Sequence, residues 1–513
     1  MEACPKTFIR KTLFLLCVIS FVLVISGCST LGGKSKSEDV PKLLVVWSPV
    51  DYSHDPLQAK SSEQYFLSSL ENETLFGLDK KGNLTYNLAQ NYKVSNDGKT
   101  ISIELGKFTF TDGSLITGAD VKATLSRVAK NGGDLSKLLS NVNGYGTAKT
   151  GGDFTGIKVI GKDGVQFSLI NPDPFFVFHL AHPATGIVPS TSIGIQGDLV
   201  STNIHSGLYS ADVISNELNA TTAFTPRTKT LPVINVVKKS EEDMAARPDS
   251  QKVDILLGLT NPSISFSQIS IPQLAVASWN IYVKNASSPF ANVKFRKAIL
   301  EALDEKESIA AYATKAVAPK KFLGGTFDSV ECSTSCDTNV KDAKKLLAEL
   351  YPDGKYPEIK IDIEENEIQK SLADSAVSSL QEIGIKATVK TYNSTDLSNE
   401  IARGNVELFR FGWVTDFAVG ADFLVKSFKA DSTENVAGVA DASLEEAISE
   451  YQSATTAKSR IDKSKTLQDE IKSLWLMRPV AHFHKIVTVN NNVQNIDFDF
   501  YSRVNIGKIR VKK

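Results

Sequence analysis

The clearest pattern lies between residues 355 and 416, where the spacing of apolar positions changes period four times. In 358–364, EIKIDIE, Ile359, Ile361 and Ile363 alternate with Lys360, Asp362 and Glu364, the period of two expected of a strand. Ile368, Leu372, Val377, Leu380 and Ile383 then fall on one broad helical face, and Gly384 is placed to end that helix. IKATVKTY (385–392) alternates again, a short helix is expected near 396–403, and VELFRFGW (406–413) reads as a third strand. The order β-α-β-α-β implies a parallel or mixed sheet covered by helices.

Earlier in the chain, KLLVVWSPV (42–50) reads as a buried strand, followed by a helical stretch to about residue 75. The pairs Asp97-Gly98 and Asp112-Gly113 suit tight turns between short strands, and ISIEL alternates between them. TGADVKATLSRV opens a helix with Thr117 as its N-cap. GVQFSLINPDPFFVFHLA (164–181) gives a strand and an aromatic-rich segment. A last helix is expected over about 443–475, and PVAHFHKIVTVN forms a late strand.

The N-terminus follows other rules. Lys6, Arg10 and Lys11 precede the apolar run TLFLLCVISFVLVISGC, residues 12–28, which has the form of a signal peptide. Its end, ISGC, resembles the bacterial lipobox, in which the chain is cut before a cysteine that is then acylated. Cys28 is the lipid-anchor residue on that reading; the alternative is an uncleaved membrane anchor with an incidental cysteine. More than one acyl chain anchors a protein stably, whereas one binds only marginally. STLGGKSKSEDVP (29–41) is small, polar and aperiodic, as a flexible tether would be. No later stretch is long and apolar enough to span a bilayer.

With 513 residues and 42% hydrophobic content, the chain exceeds what one compact domain usually holds. A net charge of −1 argues against a nucleic-acid partner, which would normally select a basic excess. Of five cysteines, only Cys332 and Cys336 lie beyond the signal region. An exported location favours a disulfide between them, with free thiols as the alternative. Two cysteines without nearby histidines make a poor zinc cage. His482 and His484 share a strand face, and His179 and His182 form a second close pair, but neither spacing brings further ligands, so no metal site is expected. The sequence has no G-x-S-x-G elbow, Gly-rich phosphate loop or H-E-x-x-H helix. No enzyme activity and no cofactor are expected.

The stretch 88–128, LAQNYKVSNDGKTISIELGKFTFTDGSLITGADVKATLSRV, resembles the signature of the extracellular solute-binding proteins, family 5, which serve peptide and nickel ABC importers. Asp97-Gly98-Lys99-Thr100, Phe110, Asp112-Gly113, Thr117, Asp120-Val121 and Arg127 fall in step with it. Further blocks follow in the family's order: SGLYSADVIS, SSPFANVKFRKAILEALDEKESI, DAKKLLAELYPDG, LQEIGIKATVKTY, FRFGWVTDFAVGADFL and LQDEIKSLWLMRPVAHFH. The chain departs from the pattern at Tyr92, where tryptophan is usual, at Leu208, and after Phe417, where a proline is missing.

The resemblance implies an α/β fold, the two-lobed clamp of periplasmic binding proteins (type II, cluster C), with an extra N-terminal subdomain. On that reading residues 1–27 are the signal peptide and 28–41 the tether. Residues 42–278 form lobe 1, including the subdomain at about 57–183; 279–480 form lobe 2; and 481–513 return to lobe 1. It also implies a monomer on the extracytoplasmic face that captures peptides between its lobes. Permease and ATPase subunits of an ABC importer then take the cargo. The alternatives are the same fold carrying a metal chelate or haem, and a surface receptor or adhesin that no longer transports.

FRFGWVTDF (409–417) carries the candidate chemistry. Alternation sets Phe409, Phe411 and Trp413 on one face and Leu408, Arg410 and Gly412 on the other. Asp416 lies just past the strand's carboxyl end, where open α/β sheets bind ligands. It matches the family aspartate that pairs with a peptide's α-ammonium; the alternative is a loop-capping carboxylate. Arg410 is either a receiver for a ligand carboxylate or one half of a structural ion pair with Glu407 or Asp422. Trp413 is either ligand contact area or core packing.

Overall fold

The computed structural model describes residues 43–214, 221–240, 242–243, 253–258, 266–283, 286–304, 316–326, 328–332, 336–414, 420–432, 434–501 and 503–511. The signal peptide, Cys28, the tether and Asp416 lie outside the described residues. Among those residues, no helix is long and apolar enough to cross a membrane.

The first part of the chain holds β1 (Leu43–Ser48), α1 (Ser62–Glu71), β2 (Phe76–Leu78), β3 (Leu84–Tyr86), β4 (Ala89–Val94) and β5 (Thr100–Leu105). Next come α2 (Gly118–Asn131), α3 (Tyr145–Lys149), β6 (Ile157–Ile160), β7 (Gly164–Ser168) and α4 (Phe176–His179). β4, β5, β7 and β6 form a sheet of their own in that order, wholly antiparallel. The alternation in ISIEL buries Ile101, Ile103 and Leu105. They pack with Val121 and Leu125 of α2 and with Phe167 and Phe176 in one apolar cluster. The turn into β5 needs a positive φ, and Gly98 supplies it at 69°. Thr117 caps α2 in a capping box with Asp120, which satisfies amides that the first helical turn leaves open.

The middle of the chain supplies β8 (Tyr209–Ile214), β9 (Thr221–Pro226), β10 (Val233–Lys238), β11 (Ile255–Leu256), β12 (Ser267–Ile281), α5 (Val293–Ala302), β13 (Ala316–Val317) and α6 (Val340–Leu350). The β-α-β-α-β unit then appears as β14 (Ile359–Glu364), α7 (Glu367–Glu382), β15 (Ala387–Tyr392), α8 (Ser394–Ala402) and β16 (Leu408–Val414). β14 pairs in parallel with both β15 and β16, as the pattern predicts. One expected core position differs. Ile368, in the first turn of α7, is exposed, and the buried stripe is completed by Ala373 and Ala376 beside Leu372 and Leu380.

The C-terminal part holds α9 (Ala421–Phe428), α10 (Ala442–Ser453), α11 (Ala457–Ser473) and β17 (Met477–Val489). The single helix expected over about 443–475 is therefore two. Thr456 turns out of the helical conformation, and its hydroxyl accepts from the Ser459 N–H at 3.2 Å, capping a new helix.

A large mixed sheet runs β15-β14-β16-β12-β17-β11-β1-β10-β9-β8, with β13 also on β17. β12 and β17 pair along most of their length. Their outer partners change on the way: Ala275–Ile281 of β12 face β16, while Thr488 and Val489 of β17 face β11. The register between β12 and β17 shifts between Pro272 and Val276, where Pro272 has no N–H to give the ladder. Helices cover the β14–β16 half on two sides. One apolar cluster joins Trp279, Phe295, Leu347 and Ile361, and another joins Phe409, Leu424, Ile448 and Leu467. The β1 half has a third cluster around Leu44, Phe66, Phe224 and Val487.

Candidate functional site

β16 runs between β14 and β12, and its two faces differ. Arg410 lies opposite Trp279 on β12, with its guanidinium carbon 5.0 Å from that ring's centre and Nε 3.4 Å from Gln369 Oε1. It is buried, and cation–π packing on Trp279 accounts for part of its setting. Glu407 accepts from the Lys360 amide at 2.9 Å, and Asp422 accepts from the Tyr451 hydroxyl at 2.7 Å.

Trp413 faces the other way. Its ring stacks on Phe423 with centroids 5.1 Å apart and meets Phe411 edge-on at 5.3 Å. Its Nε1–H donates to Ser427 Oγ at 3.0 Å. The ring stands between two cavities. The smaller, about 360 Å³, is lined by Ile401, Phe411, Phe423 and Val436. The larger, about 470 Å³, brings Trp413, Asp422, Tyr451 and Arg460 together with Asp173 and His179 from the N-terminal part of the chain.

The walls of the larger cavity are tied across that gap. Arg460 Nη2 donates to the Pro172 carbonyl, and Lys137 stands 3.8 Å from Glu434. The Arg460 guanidinium also lies over the Tyr451 ring, 4.6 Å from its centre. Burial pushes the Asp422 carboxyl above its ordinary range, and the negative charge of Asp173 adds to this; Arg460 and the Tyr451 hydroxyl oppose it. The cavity therefore offers an aromatic wall with carboxylates and cations side by side in its lining, a setting for a zwitterionic guest with an apolar part.

Asp416 falls between two fixed points. Upstream, β16 is paired on both sides. Downstream, the amides of Gly420 and Ala421 donate to the fully buried Asp328 at 3.0 and 3.3 Å. Ser464 of α11 donates to the same carboxylate at 2.6 Å, so the start of α9 is fastened to α11. Cys332 and Cys336, elsewhere in this half, are joined as a disulfide with Cα atoms 5.4 Å apart.

The histidine pairs occupy different settings. Burial lowers His482 to about 4, helped by His484, whose Nδ1 lies 2.7 Å from Ser270 Oγ. Burial lowers His182 to about 3, with Arg503 and His179 adding to it. At the crossing strands, Lys485 of β17 pairs with Glu63 of α1 at 2.9 Å. Burial pushes the Glu63 carboxyl up, but the charge and hydrogen bond of Lys485, with hydrogen bonds from a backbone amide and Ser61, together bring the net shift downward.

Sequence reasoning placed Trp413 on the apolar face but missed Tyr451, Arg460, Asp173 and His179 as its neighbours. They come from segments far apart in the chain, and no motif links them.

Comparisons with known proteins fit this architecture. Residues 83–435, more than half of the chain, match the family of bacterial extracellular solute-binding proteins, family 5, and the chain belongs to that family. The glutathione-binding protein GsiB of Escherichia coli O1:K1 / APEC is 31% identical over 161 residues, 31% of this chain; the match spans only 29% of that protein's length. GsiB of Salmonella choleraesuis (strain SC-B67) is 26% identical over 394 residues, covering 70% of this chain and 72% of the relative. The unliganded open form of the periplasmic murein tripeptide binding protein MppA superposes with a TM-score of 0.79 at 16% identity, covering 92% of this chain and 97% of MppA. The fold is thus that of the two-lobed periplasmic binding proteins.

Proposed function

We propose that this chain is the substrate-binding lipoprotein of an ABC importer that captures short peptides between its lobes and hands them to a membrane permease. The observation that carries the reading is the cavity beside the carboxyl end of β16, bounded by Trp413, Asp422 and Arg460 on one side and Asp173 on the other. Relatives support the ligand class, since glutathione and a murein tripeptide are both short peptides with free charged groups. Asp416 pairs with the peptide's α-ammonium through a charge-assisted hydrogen bond, Trp413 supplies contact area, and Arg410 is a second contact. Cys28 carries the lipid that holds the protein at the extracytoplasmic face, with 29–41 as its tether.

Capture works by population shift. A ligand draws the lobes together only as far as it contacts the closed form better than the open one. β12 and β17 are the strands about which such closure turns, and their register break at Pro272 gives the bend a place. No bond of the cargo is made or broken.

Calorimetry with free-amine and Nα-acetylated tripeptides tests the reading. Wild type binds the free-amine peptides, and Asp416→Ala loses on the order of 100-fold or more in affinity, as removal of the ammonium's charge partner requires. Unchanged affinity in a folded Asp416→Ala variant overturns the assignment.

A further inference from the structure

Away from the Trp413 cavities, three side chains from distant segments converge. Glu71 ends α1, His54 follows β1, and His205 precedes β8. Glu71 Oε2 lies 2.7 Å from His54 Nδ1, and Glu71 Oε1 lies 3.0 Å from His205 Nε2. The carboxylate and His205 are buried, while His54 is 27% exposed. The two imidazoles stack with centroids 5.8 Å apart, and all three potential ligand atoms lie within 4.8 Å of one another.

From this geometry we propose that His54, Glu71 and His205 form a binding site for one divalent first-row cation, with Zn²⁺ as the best match. Two imidazole nitrogens and one carboxylate oxygen are a donor set that zinc accepts, leaving a fourth position open. Ligands about 2.1 Å from a shared zinc at tetrahedral angles stand about 3.4 Å apart. The two contacts to Glu71, each to a different carboxylate oxygen, are a little shorter than this, so the cation enters by small rotations that open the contacts and turn one oxygen toward both imidazoles. The Tyr52 hydroxyl donates to Glu71 Oε2 and helps to orient that carboxylate. The Asp212 carboxylate acts on both His54 and Glu71, adding negative charge that favours a cation.

The surroundings hold the ligands in place, as metal sites require. The Ala211 amide donates to Glu71 Oε1. The Thr111 amide donates to the His205 carbonyl, and the His205 amide donates to Thr111 Oγ1, so the segment carrying His205 is fixed on both sides. An entry path exists as well. Tyr52 and His54 line an open cavity of about 580 Å³ that shares no residue with the two cavities at Trp413. Occupied, the site clasps the loop after β1 to the end of α1 and the start of β8, as a resident cation would.

The test is titration of EDTA-treated full-length protein with ZnCl₂ by calorimetry, with thermal unfolding as the second readout. Wild type should bind one zinc, and its unfolding midpoint should rise with zinc concentration. His54→Ala, at the exposed edge of the cluster, should keep the fold, lose at least 100-fold in zinc affinity and lose the midpoint shift. A His482→Ala/His484→Ala double variant should bind as wild type. The proposal is overturned if wild type binds no better than His54→Ala, or if binding is lost only in the His482/His484 variant. The outcome is independent of whether the protein binds peptides.

Discussion

Trp413 is the residue whose truncation says most about where the ligand sits. Its ring is partly buried, stacked on Phe423, edge-on to Phe411, and hydrogen-bonded through Nε1 to Ser427. A tryptophan buries roughly 150–250 Å² when enclosed, at about 25 cal/mol per Å². With at least about two thirds of that area covered, Trp413→Ala loses on the order of 3–4 kcal/mol of burial, and the lost hydrogen bond adds about 1 kcal/mol. A urea titration should therefore show about 4–5 kcal/mol of destabilisation, most of it from midpoint rather than slope. Trp413→Phe keeps an aromatic ring and loses chiefly the hydrogen bond, so it should cost only about 1 kcal/mol. Calorimetry with the co-purified ligand completes the test. Because the ring walls both cavities, Trp413→Ala should weaken binding by about tenfold or more, a little over 1.4 kcal/mol, while Trp413→Phe should stay within about threefold. If Trp413→Ala shows the stability loss but binds with wild-type affinity, the ring is packing alone and the ligand lies elsewhere.

Two further outcomes follow from the ion pair at the crossing strands and from the N-terminus. Glu63 has a lowered pKa in the folded state, so its contribution to stability is present above the ordinary glutamate value of 4.5 and is lost as the pH falls through the folded value. Glu63→Gln, which leaves Lys485 with Ser62 at 2.7 Å, should cost about 2 kcal/mol at pH 7 and flatten the acid limb of a stability–pH curve; parallel curves for the two proteins would refute the pairing argument. Cys28→Ser should move the protein from the membrane fraction to the soluble fraction, and unchanged fractionation would rule out the lipid anchor.

What the sequence disclosed and what it hid follow from the range of the interactions. The order β14-α7-β15-α8-β16 was legible because strand alternation and helical spacing are local, even though the edge strand β15 leaves Val389 exposed. The break between α10 and α11 was missed because the apolar spacing runs on through it; the chain leaves the helix at Ala454, and the Thr456 hydroxyl caps the start of α11. Ile368 was placed in the core because it fits the helical spacing, yet the first turn of α7 leaves it uncovered. The strand face of Trp413 could be read from alternation, whereas its partners Asp173, Tyr451 and Arg460 could not, since the tertiary fold alone brings them near. The grouping of His54, Glu71 and His205 was invisible for the same reason.

Native mass spectrometry of protein purified from its own host tests peptide capture most directly. The account expects a non-covalent adduct whose mass and fragmentation fit a short peptide with a free amino end, present in wild type and absent in Asp416→Ala. An adduct that fragments as a haem or a metal chelate, or a wild-type protein that carries no adduct and binds no peptide on addition, would contradict it.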